Sequence, residues 1–137
     1  MHILRAFPLF AVIWVLYNLV ALAGSETALQ GNLLTIGLIS GATWAVSVGD
    51  VLIILGLITL FIEIFKSTRT SATSILDHSL SMVVFIAFLV QFITVGWAGN
   101  SVFFILALMS LLDVVAGFSV TIMGARRDFA VGDEPRL

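Results

Sequence analysis

The chain has no cysteine among its 137 residues. That excludes disulfides, thiolate metal sites, CxxC redox chemistry and cysteine nucleophiles. Charge is almost as scarce. Asp, Glu, Lys and Arg together make up 10% of the sequence, against roughly a quarter in a soluble domain. The net charge of −2, with no basic cluster anywhere, gives no surface for nucleic acid. Walker loops, GxSxG, HExxH and paired carboxylates are missing as well, so neither an enzyme nor a cofactor is expected. The two histidines, His2 and His78, lack the spacing of a metal or haem site. Both are expected at the cytoplasmic surface, His78 beside Asp77.

What remains is apolar. Hydrophobic residues make up 61% of the chain, and the mean hydropathy is +1.20. Such a chain cannot cover itself with a solvated surface and needs the lipid bilayer as its solvent. A hydrocarbon layer about 30 Å thick takes roughly 20 apolar helical residues, because only helices and closed barrels satisfy every backbone group in lipid. Runs of that kind predict spans over 6–23, 50–66, 80–97 and 102–124, joined by an external segment over 24–49 and a cytoplasmic loop over 67–79. A cytoplasmic tail over 125–137 follows. The expected fold is an all-α integral membrane protein, a single domain built as a four-transmembrane-helix bundle.

The first run has a second reading. Arg5, the apolar stretch and Ala21-Leu22-Ala23 before Gly24 resemble a signal peptide with its cleavage site. The stretch is long for that and contains Trp14, Tyr17 and Asn18, which favours a retained helix. Orientation follows from the basic residues. Arg5, Lys66, Arg69, Arg126, Arg127 and Arg136 are the six Lys and Arg of the chain, and all fall on one side of the four-span plan. Both termini are therefore expected in the cytoplasm, most naturally at a bacterial inner membrane. Cleavage of the first run would leave the other three spans oriented the same way.

Between the first two spans the pattern changes. Leu33–Ile39 and Thr43–Val48 are short runs with β-branched and aromatic members on either side of Ser40-Gly41-Ala42, which is a hairpin signal. Thr43, Ala45 and Ser47 alternate with Trp44, Val46 and Val48, giving one polar and one apolar face. A lone two-stranded hairpin is marginal in water, so Trp44, Val46 and Val48 are expected to meet the bundle, the membrane interface or a neighbour. An irregular or re-entrant loop is the alternative. Gly37 to Gly41 also matches GxxxG, outside the spans. Asp50 is expected as the helix cap of the second span. Four spans with a strand-bearing first external loop resemble the plan of claudin-like proteins, but the Trp and paired Cys motif of that loop is missing, so nothing carries over from that family. The Glu that four-span small multidrug transporters carry in their first helix has no counterpart either.

Small and polar residues recur at helical spacing on each span: Ala11, Asn18 and Ala21; Gly56, Thr59, Glu63 and Lys66; Ala87, Gln91 and Thr94; Ser110, Asp113, Gly117, Thr121 and Gly124. Membrane helices associate through such residues, so the stripes predict the packed interior, with large Phe, Leu, Ile and Val facing lipid. The rise per residue places Thr59, Gln91 and Asp113 near one mid-membrane level, Asn18 slightly outside it and Glu63 a turn towards the cytoplasm. Glu63 is expected to pair with Lys66. A carboxylate at the bilayer centre costs on the order of 2.5–3.5 kcal/mol. Asp113 is therefore either a neutral acid clamped to Gln91 or Thr59, or a proton or cation site. Together these features predict a non-enzymatic scaffold or accessory subunit, in a homo-oligomer or with other membrane subunits. The alternative is a small proton- or ion-conducting protein using Asp113.

Overall fold

The computed structural model of the chain describes residues 7–68 and 74–131. Helix α1 (Leu9–Gln30) is followed by strands β1 (Asn32–Gly37) and β2 (Thr43–Ser47). Helix α2 (Val48–Ser67), helix α3 (Ser74–Thr94), a 3-10 turn (Gly96–Ala98) and helix α4 (Ser101–Val131) complete the order. Among the described residues, three helical stretches are long and apolar enough to cross a membrane: Val48–Ser67, Leu76–Thr94 and Ser101–Arg127. In α1 the apolar stretch is shorter, Leu9–Gly24. His2, Arg5, Arg69 and Arg136, which enter the sequence argument, lie outside the described residues.

Helix α4 packs against both α2 and α3, and α1 packs mainly on α2. Two ends are thus defined, a hairpin end where α2 begins and an opposite end where α1 and α3 begin. The centre is aromatic. Phe10, Tyr17, Phe88 and Phe103 are fully buried with Leu106, and the rings of Phe88 and Phe103 lie 5.3 Å apart. This corrects the expectation that large residues face lipid. Many are exposed, among them Phe61, Phe65 and Ile93, but on α1 Phe10, Ile13 and Tyr17 are buried while Ala11, Asn18 and Ala21 are only half-buried.

The hairpin forms where the turn chemistry places it. Gly41 takes φ +83, a left-handed conformation that glycine adopts without a Cβ penalty. Gly41 N–H donates to Leu38 C=O (2.9 Å) and Leu38 N–H to Ala42 C=O (2.8 Å), closing a three-residue loop of the kind that a positive-φ glycine completes. Ile36 pairs with Trp44 and Leu34 with Val46. Between Asn32 and Leu34 the register shifts, leaving Leu33 as an extra residue.

Element ends differ from the sequence reading in informative ways. Helix α1 continues through Gly24 to Gln30, a segment expected outside the membrane span. Helix α2 starts at Val48, so its cap is Ser47 and not Asp50. Asp50 sits three residues in and closes a capping box: Ser47 Oγ accepts from Asp50 N–H (3.1 Å), and Asp50 Oδ2 accepts from Ser47 N–H (2.9 Å). Such a cap contributes about 1 kcal/mol. Val48, expected on the hairpin's apolar face, is instead the first residue of α2. The tail expected from Ala125 is helical to Val131.

Candidate functional site

Polar side chains gather in two places. The larger cluster lies at the end opposite the hairpin and is organised by Glu63 and Lys66 on α2. Leu9, the first residue of α1, follows Pro8, which has no capping side chain. Its N–H donates instead to Glu63 Oε1 at 2.6 Å, so a carboxylate from another helix meets the positive end of the α1 dipole. Glu63 is buried, and its other oxygen lies 2.8 Å from Lys66 Nζ, the pair expected from the i, i+3 spacing. Lys66 Nζ also lies 3.0 Å from Asp77 Oδ1 and donates to Phe7 C=O at 3.2 Å. One ammonium therefore ties α1, α2 and α3 together.

Asp77 and His78 correct the sequence reading. The sequence pattern places them in a surface loop, but α3 begins at Ser74, and both residues are buried in its first turns. His78 Nε2 lies 3.0 Å from Thr121 Oγ1, and its ring packs directly against Gly117. The small residue on α4 is what lets the imidazole in.

Asp113 joins this cluster. It is 5% exposed, the Ser81 hydroxyl faces its carboxyl, and Glu63, Lys66 and Asp77 are the charges that act on it. Its Oδ2 has no hydrogen-bond partner, nor does the hydroxyl of Ser110 one turn before it. The expected clamp to Gln91 or Thr59 does not form. Gln91 bonds Asn18 instead, Nε2–H donating to Asn18 Oδ1 at 2.8 Å, while Thr59 is half-buried on α2. The reason is a displacement of α3: it ends at Thr94, so Gln91 lies a turn from the hairpin end, not at mid-depth with Asp113.

The second polar place is that hairpin end. Beside the Asn18–Gln91 pair, α1 and α3 leave a groove of about 440 Å³ lined by Trp14, Val90, Thr94 and Trp97 among others. Asn100, which the sequence reading did not single out, links three elements there. Its Nδ2–H donates to Tyr17 Oη (2.6 Å) and Trp97 C=O (3.0 Å), and its Oδ1 accepts from Phe103 N–H (3.0 Å) at the start of α4. The signal for this cap was an Asn just before an apolar run.

On the hairpin itself, Leu34, Ile36, Leu38 and Trp44 share one face and are all exposed, with Ile39 fully exposed at the tip. Only Val46 of that face is buried. Among the described residues, no group of three or more His, Asp and Glu is placed to hold a metal. No protein-family model matches the chain, and comparison with curated proteins and with solved structures gives no match.

Proposed function

We propose that the chain is a four-span membrane protein, with both termini in the cytoplasm, acting as a non-enzymatic scaffold or accessory subunit. Its setting in this reading is a bacterial inner membrane. The observation that carries the reading is the hairpin's bare apolar face. A two-stranded hairpin is marginal by itself, and one that leaves Leu34, Ile36, Leu38 and Trp44 exposed is stabilised by contact with something apolar. A second copy of the chain supplies that contact most simply, because it brings the same face. The groove between α1 and α3 offers a second place for a neighbouring helix.

The test is the mass of the purified chain in mild detergent by light scattering, for the wild type and for I36S/W44S. Assembly of the wild type, and its loss in the variant at unchanged helix content, is the expected result. A wild-type chain that stays monomeric at every concentration, with no co-purifying subunit, overturns the reading.

A conducting protein centred on Asp113 is the second reading, favoured by the unpartnered Oδ2. Against a path through one chain stands the buried layer of Phe88, Phe103 and Leu106 between Asp113 and the hairpin end.

A further inference from the structure

We propose that the Asp113 carboxyl is a proton-binding site entered only from the end of the molecule where Lys66 lies. Two buried oxygens without partners stand on one face of α4. Asp113 is 5% exposed and Ser110 is 1% exposed, and neither Asp113 Oδ2 nor Ser110 Oγ has a hydrogen-bond partner. Residues three apart on a helix are neighbours, and a proton on the carboxyl removes the charge that Oδ2 otherwise carries in a buried place with no donor to meet it.

The surrounding charges leave Asp113 without a cation of its own. Helix α2 presents Glu63 and Lys66, and α3 presents Asp77 with the Ser81 hydroxyl. Helix α1 brings its backbone, Leu9 N–H to Glu63 and Phe7 C=O to Lys66, while its buried Tyr17 is bonded to Asn100 at the hairpin end. Lys66 is held between Glu63 and Asp77. Carboxyls at membrane depth in this situation are characteristic of sites that bind and release protons.

The lining differs between the two directions. From Asp113 towards the Lys66 end, the seam between α3 and α4 carries Ser81, His78, Gly117 and Thr121. His78 meets Thr121 about 12 Å further along α4 at 1.5 Å per residue. In the other direction, Phe88, Phe103 and Leu106 are all fully buried and offer no polar group. The chemistry is a single transfer. Hydronium at the Lys66 end gives its proton to the Asp113 carboxylate, one O–H bond forming as the other breaks, and water leaves.

The experiment is infrared spectroscopy of the full-length chain in vesicles, inserted in one orientation, with pH set separately on each side. A protonated-carboxyl C=O band is expected in the wild type and is lost in D113N. In S110A, which leaves the carboxyl in place, the same band shifts in frequency. That assigns it to Asp113 even if D113N fails to fold. Raising the pH on the Lys66 side removes the band; raising it on the hairpin side leaves it. A wild type with no such band, a band unchanged in both variants, or a band that follows pH on the hairpin side overturns the proposal.

Discussion

Replacing Lys66 by Met is expected to lower the stability of the folded chain by about 2 to 3 kcal/mol, less than the roughly 3 to 5 kcal/mol of a fully buried ion pair because the Lys66 side chain is 24% exposed. The size follows from what Lys66 holds. Glu63 is 2% exposed and depends on this ammonium at 2.8 Å, and Asp77 meets the same nitrogen at 3.0 Å. Without it, two carboxylates face each other under low dielectric, and the start of α1 loses the bond from Lys66 to Phe7 C=O. Unfolding by SDS in mixed micelles, followed by the three tryptophans, measures the loss. The triple variant E63Q/K66M/D77N is expected to recover much of it, because neutral amides leave no unpaired charge and Gln can still accept from Leu9 N–H. A loss in K66M below about 1 kcal/mol would mean that the pair behaves like an exposed salt bridge.

Gly117→Ala is the second large effect, an expected loss of about 1 to 3 kcal/mol by overpacking. A Cβ at residue 117 would land on the His78 ring itself, and a rigid imidazole buried between α3 and α4 has little room to retreat. Gly56→Ala is the instructive comparison. There the new atom meets Leu106 Cδ2 at 2.7 Å and Met109 Sδ at 2.9 Å, the far ends of flexible side chains that can swing aside. The same unfolding assay should therefore rank G117A well below G56A. In an H78A background the cost of G117A should shrink, since contacting residues couple. Equal losses for G117A and G56A would show that the His78 contact does not limit the α3–α4 approach.

These two variants also mark the boundary of what the sequence reveals. Glu63 and Lys66 were legible as a pair because they sit three apart on one helix, and the hairpin was legible because Gly41 separates two strand-like runs. Partners from distant elements were not. Periodicity assigns Asp113 and Gln91 to inward faces, but only the placement of α3 decides that Gln91 meets Asn18 and that Asp113 meets Ser81. The burial of Asp77 and His78 is hidden because their Ser- and Thr-rich neighbourhood suits a loop as well as a helix start. The aromatic centre was hidden for a different reason. Lipid tails are as apolar as a protein core, so hydropathy does not separate Phe103, fully buried, from Phe61, largely exposed.

The central claim is four crossings with both termini on one side, and the cysteine-free sequence allows a direct measurement. Single cysteines introduced one at a time as H2C, S40C, T70C, G99C and R127C are exposed to a membrane-impermeant thiol reagent on sealed vesicles of known sidedness. The expected pattern is labelling of S40C and G99C from one side only, and of H2C, T70C and R127C from the other. Labelling of H2C from the same side as S40C would contradict the account, because α1 would then not cross the membrane.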